Sequence, residues 1–296
     1  MKIQTAAEVV VQTYMDLPSQ PKLLLPAGSC DSHVHVFGPR ARFPYAASRA
    51  NTPAEAPKEK LFALHKKVGI ARCVIVQSVT HGTDNAVVED AIDAGQGNYL
   101  GVALTQVDVA DQELRRLARR GFRAVRFHFM KHISGGNDID DVLKLTSRLA
   151  DLEMHLQVHF ESSLVHTVGQ QLLRSAVPVV IDHMGRVDAT KGENHEDFRA
   201  LMGLLDHRGF YVKVSGIDRI ESTARAGSGY PLGVQLAAGL VERFPQQCVW
   251  GLDWPHPNHT HIPDDGELVD ALSCIAPRAE LLEALLVKNP QALYRF

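Results

Sequence analysis

The sequence predicts an α/β fold, a (β/α)8 TIM barrel, from three observations: eight short apolar β-type runs, helical periodicity between them, and chemistry-bearing side chains recurring where the runs end. Strands that alternate with helices argue a parallel sheet, because parallel neighbours need crossover connections. The strands are expected over residues 30–36, 73–77, 99–104, 124–129, 156–160, 179–182, 211–215 and 248–251, each rich in Val, Ile, Leu or aromatics. Helices are expected over 58–67, 85–94, 111–120, 140–151, 163–175, 196–207 and 232–244, where Leu and Ala recur with charges between them. Asp111 and Asp140 read as N-terminal starters. A doubly wound open sheet would show a Gly-rich phosphate turn after its first strand, whereas this first strand ends in Asp-Ser-His-Val-His.

Composition sets the class. A chain of 296 residues, 45% hydrophobic and 22% charged, is long enough to bury about three quarters of its unfolded surface. We expect a tail over 1–25 and a single barrel domain over 26–296. A net charge of -3 without blocks of like charge gives no electrostatic footprint for nucleic acid or an anionic membrane. No apolar run approaches the roughly 18 residues needed to cross a bilayer. Cys30, Cys73, Cys248 and Cys274 are widely spaced and form no CxxC pair, and the start shows no export signal. The expectation is a soluble, cytoplasmic protein, with a homo-oligomer left open.

Two segments exceed ordinary loop length, 38–57 after the first strand and 216–231 after the seventh, and both belong to the C-terminal face where barrel active sites lie. His33 and His35 end the first strand, Arg126 and His128 the fourth and His159 the fifth, while His183 follows the sixth and Asp253 the eighth. A single imidazole at a strand end is usually a packing or surface residue. Recurrence on many strands is the signal, and the period of two aims His33 and His35 to the same side. Arg126, inside Ala-Val-Arg-Phe, needs a partner if buried. Arg219, between Asp218 and Glu221, reads equally well as a substrate contact or a surface ion pair. The PHPNHTH histidines His256, His259 and His261 read as a solvated loop rim. His81 with Thr83 and Asp84 reads as loop order, with Asp84 capping the next helix, and Gly135-Gly136 as flexible loop.

The segments DSHVHVFGP, VIVQSVTHGTDN, VVIDHMGR and VWGLDWPHPN resemble the lactonases of the amidohydrolase superfamily, in particular the 2-pyrone-4,6-dicarboxylate hydrolase-like family, over about 26–296. The resemblance implies a hydrolase that opens a carboxylated lactone with water in aromatic or sugar-acid catabolism, its substrate a small anion. It implies Asp253 as base, with His33, His35 and His183 polarising the carbonyl, and Ser78, Arg126, His132, His159, Arg219 and Asn258 touching substrate. No organic cofactor is implied, and the family is held to work without a metal. This chain departs from it at His159, where the family has Tyr, at His132, where it has Arg, and near Asn51, where it has Tyr. His159 also completes the set His33, His35, His159 and Asp253 that would hold one Zn2+ in metal-dependent superfamily members. A metal-dependent nonoxidative decarboxylase and an aldarolactone isomerase are therefore the alternatives on the same barrel.

Overall fold

The computed structural model describes residues 9–130 and 138–296. Its centre is one eight-stranded parallel sheet: β1 (Cys30–Val34), β2 (Arg72–Val76), β3 (Tyr99–Leu104), β4 (Phe122–Phe129), β5 (His155–Phe160), β6 (Val179–Ile181), β7 (Phe210–Lys213) and β8 (Cys248–Val249). Each strand pairs with its sequence neighbour, from β1 through to β8. The ends meet through backbone bonds just beyond the ladder. Ser32 N donates to Trp250 O (2.8 Å), Asp253 N to His33 O (2.7 Å) and His35 N to Trp254 O (2.7 Å). This seam closes the barrel and delivers both chemistry-bearing segments to one place.

The seam also explains a glycine. Asp31 Oδ1 accepts from His33 N and Leu252 N, and a Cβ at Gly251 would lie 2.5 Å from His33 N. Only the residue without a side chain lets the two backbones approach so closely.

Helices α1 (Lys58–Val68), α2 (Ala86–Ala94), α3 (Asp111–Arg119), α4 (Ile139–Ala150), α5 (Val168–Leu172), α6 (Glu196–Leu205) and α7 (Pro231–Arg243) connect the strands, and four short ones, α8 (Asp265–Asp270), α9 (Leu272–Ile275), α10 (Ala279–Glu283) and α11 (Asn289–Tyr294), end the chain. The helix expected over 163–175 is instead a 3-10 turn, Ser162–His166, followed by the short α5. Asp140 is not the cap of α4; Asp138 accepts from its amide, while Asp111 opens α3 behind Ala110. Asp84 does accept from Ala86 N at the start of α2.

Residues ahead of β1 pack on the barrel: Ser19 N donates to Asp264, Lys22 N and Leu23 N to Asp270, and Tyr14 lies buried against Trp254. Among the described residues no helix is long and apolar enough to cross a membrane.

Candidate active site

The site is assembled from residues whose backbone departs from the regular strand. His183 through Arg186 form a left-handed turn directly after β6, with φ of 48°, 51°, 61° and 53°. Asp253 has φ 64°, and His256 and Asn258 in the same loop are also left-handed. Non-glycine residues pay roughly 1–2 kcal/mol each for this conformation, and such strain concentrates at functional sites. The turn swings His183 into the barrel mouth while Met184 packs in the core.

There, Asp253 Oδ1 faces three imidazoles. It lies 3.6 Å from Nε2 of His33, 3.5 Å from Nε2 of His35 and 3.7 Å from Nε2 of His183, all four side chains buried. Neither Asp253 Oδ1 nor His33 Nε2 has a hydrogen-bond partner among the described residues. The other oxygen, Oδ2, accepts from Arg219 Nη2 at 2.6 Å and faces His259 Nε2 at 3.4 Å. Burial alone would raise this carboxyl, but Arg219, then His183, hold it well below its ordinary range. His183 is pushed down by burial, and His33 to about 3 by burial and then by Lys213, so both rings are neutral at pH 7.

The rings differ in where their second nitrogen points. His35 Nδ1 lies 2.7 Å from the Val76 carbonyl, an acceptor only, so it carries the hydrogen and leaves Nε2 bare in the neutral ring. His183 Nδ1 meets Ser215 Oγ at 2.9 Å, which suits either tautomer.

Beneath these rings lies a buried charged floor. Asp182 Oδ2 accepts from Arg126 Nε (2.8 Å) and Gln157 Nε2 (3.1 Å). Lys213 Nζ donates to Gln157 Oε1 (2.8 Å) and lies 3.2 Å from His33 Nδ1. Asp182, Gln157 and Lys213 were not anticipated as site residues. Arg186 was missed too; it is half-buried and senses the charges of Arg219, Glu161 and Asp253.

The anticipated substrate contacts fare unevenly. Arg126 is buried and paired with Asp182, and its Nη2 lies 3.3 Å from His159 Nδ1. His159 Nε2 and His128 Nε2 are buried and have no partner among the described residues on the adjoining wall, their rings 5.4 Å apart. Ser78, nearly buried just past β2, donates to Thr80 Oγ1. Asn258 is exposed and accepts from Asn51, which ties the first long loop to the last. Arg219 forms neither of the surface pairs considered: Asp218 is taken by His259 (2.8 Å), and Glu221 accepts from Leu232 N and Gly233 N at the start of α7. His132 and Gly135-Gly136 lie outside the described residues. The solvated-rim reading of the histidine loop is wrong. His256 has no exposed surface and pairs with Asp265 (3.0 Å), and His259 bridges Asp218 and Asp253, because the left-handed residues fold the loop back over the barrel.

An amidohydrolase family model matches residues 30–296, the whole barrel with its site. The chain belongs to the amidohydrolase family. It is 41% identical to a 2-pyrone-4,6-dicarboxylate hydrolase of Comamonas testosteroni, over 94% of this chain and 93% of that one. It is 34% identical to a 4-sulfomuconolactone hydrolase of Hydrogenophaga intermedia, over 92% and 90%. The fold matches that of a probable 2-pyrone-4,6-dicarboxylic acid hydrolase from Acinetobacter baumannii, solved with citric acid bound, at a TM-score of 0.80 and 26% identity, covering 91% of this chain and 100% of that one.

In this amidohydrolase His33, His183 and Asp253 place donor atoms within 4.8 Å of one another, a group that could hold a metal ion. His35 and His159, both expected as ligands, are not in that group, and His183 is. The donor spacing suits an ion, but the charges behind the donors do not. A ligating histidine normally donates its other N–H to a carboxylate or carbonyl. His33 Nδ1 instead has a lysine nitrogen 3.2 Å away, and Asp253 already carries a guanidinium.

Proposed function

We propose that this amidohydrolase opens a carboxylated lactone with one water and no organic cofactor, in the catabolism of aromatic or sugar acids. The observation that carries the reading is Asp253 Oδ1, buried and unpartnered among three imidazole Nε2 atoms at 3.5–3.7 Å. Water attacks the lactone carbonyl carbon and Asp253 takes its proton. His33 and His183 donate to the carbonyl oxygen as it gains charge, each such donor lowering the barrier by about 3 kcal/mol. The tetrahedral centre then expels the ring oxygen, which receives the proton from Asp253, so the products are a hydroxyl or enol and a carboxylic acid that releases its proton to solvent. His35, bare at Nε2, adds an acceptor beside Asp253 rather than a third donor.

Arg126, Arg186 and Arg219 surround this chemistry with positive charge, which suits a substrate bearing carboxylates. The relatives that hydrolyse 2-pyrone-4,6-dicarboxylate and 4-sulfomuconolactone, and the polycarboxylate in the Acinetobacter structure, support the same class. The dicarboxylate is the first choice of substrate. The test is steady-state hydrolysis of both lactones and of an uncharged pyrone, with products identified by mass. We expect ring opening of an anionic lactone at a kcat/KM far above that of the neutral one. Decarboxylation or isomerisation without water uptake would overturn the reading.

A further inference from the structure

Lys213 is a lysine with no exposed surface, placed on β7 directly behind the catalytic rings. Its Nζ donates to Gln157 Oε1 at 2.8 Å, and lies 3.2 Å from His33 Nδ1 and 3.5 Å from Asp182 Oδ1. An ammonium offers three donors and no acceptor. A ring nitrogen that receives its hydrogen bond must be the lone-pair nitrogen, which places the hydrogen of a neutral His33 on Nε2. Asp182 Oδ1, 3.3 Å from the same Nδ1, is the competing acceptor that would draw the hydrogen to the other side. That oxygen forms no hydrogen bond of acceptable geometry, and Asp182 is held through its other oxygen by Arg126 and Gln157.

We propose that Lys213 is a positioning residue that fixes His33 as the Nε2–H tautomer, making it a donor toward the lactone carbonyl and withholding that nitrogen's lone pair from a metal ion. Two imidazoles two residues apart, at the end of β1 and just beyond it, then carry opposite tautomers. His35, donating from Nδ1 to the Val76 carbonyl, presents a lone pair, while His33 presents a hydrogen. A metal ion held by His33 needs that lone pair, whereas carbonyl polarisation needs the hydrogen in its place. The misfit between donor spacing and surrounding charge is thereby assigned to one side chain.

The catalytic consequence rests on the lactonase reading, whereas the tautomer and the metal affinity do not, so the two fail separately. Long-range 1H–15N correlation on the full chain labelled at histidine, with His33 assigned by its loss in His33→Gln, reads the tautomer of the resting protein. Nε2–H is expected; Nδ1–H overturns the proposal whatever the activity. In Lys213→Met, whose folding is checked by its melt, His33 should move to Nδ1–H facing Asp182. Zinc retained after incubation with Zn2+ and desalting should rise from trace in the wild type to about one equivalent per chain. kcat should fall about tenfold or more at a KM within about twofold, the signature of a lost transition-state donor. Should the variant not fold, the wild-type spectrum decides alone. An unchanged tautomer in a folded variant, or stoichiometric zinc in the wild type lost on His33→Gln, overturns it.

Discussion

Asp182 and Asp253 flank the same imidazole, and they differ in what their second oxygen meets. Asp182 Oδ1 lies 3.3 Å from His33 Nδ1 and Asp253 Oδ1 3.6 Å from His33 Nε2, and each carboxylate holds an arginine on its Oδ2. Behind Asp182 Oδ1 stands Lys213, at 3.5 Å, its ammonium pushed down to about 8 by burial and still charged at pH 7. Around Asp253 Oδ1, among the described residues, stand the imidazoles of His33, His35 and His183. A buried carboxylate flanked by fixed cations at both oxygens is scaffold, because nothing that enters the barrel can improve its position. One left with an unmatched oxygen toward the mouth is completed only by what binds there.

Breaking each carboxylate should therefore give opposite phenotypes. Asp253→Asn should lower kcat by about 100-fold or more, since an amide accepts no proton, while the thermal melt stays near wild type. Steady-state kinetics on 2-pyrone-4,6-dicarboxylate checks it, and more than a tenth of wild-type kcat would remove Asp253 as base. Asp182→Asn should instead cost stability, about 3–5 kcal/mol, because it strands Arg126 and Lys213 as uncompensated buried charges. Denaturant titration measures that loss, and a stability close to wild type would end the scaffold assignment.

The same contrast marks what was legible in the chain. Asp253 and His183 could be read because they follow apolar strands, and β1 exposes His33 and His35 at the period of a strand. Asp182 sits in the very segment that carries His183, yet a carboxylate beside a histidine gives no sign of facing downward. Lys213 was hidden by alternation itself. Flanked by Val212 and Val214, it reads as the polar outward residue of a half-buried strand, whereas in a closed barrel that face is the interior. The histidine loop was misread because left-handed turns at Asp253, His256 and Asn258 leave no hydrophobic pattern behind them. The eight strands themselves were plain, since each needed only a short apolar run.

The arginines sharpen the comparison at intermediate size. Arg219→Met should raise KM for the dicarboxylate about tenfold or more, a charge-assisted contact of roughly 1.5–3 kcal/mol, and leave a neutral lactone nearly unaffected. It also removes the chief charge that holds Asp253 down, so the acid limb of the pH–rate profile should move to higher pH. Arg126→Met should raise KM for the anion as well, and each variant leaves a buried carboxylate without its arginine, Asp182 for Arg126 and Asp253 for Arg219. Equal KM changes on charged and neutral lactones would make both residues structural.

The smallest effect belongs to His256, the enclosed partner of Asp265 at 3.0 Å. Burial alone would lower this imidazole, but Asp265, with Asp218 and Asp253 behind it, outweighs burial and raises it above 6.5. A group raised in the folded state contributes stability that is fully present below its unfolded value, near 6.5, and is lost as pH climbs through the folded value. His256→Gln removes that contribution. The melting temperature of the wild type minus that of the variant should therefore be largest in acid and shrink as pH rises, across a series from roughly pH 5.5 to 9. A difference that grows with pH would mean that His256 is held neutral, and that the cap over Asp253 is a hydrogen-bonded loop without an ion pair.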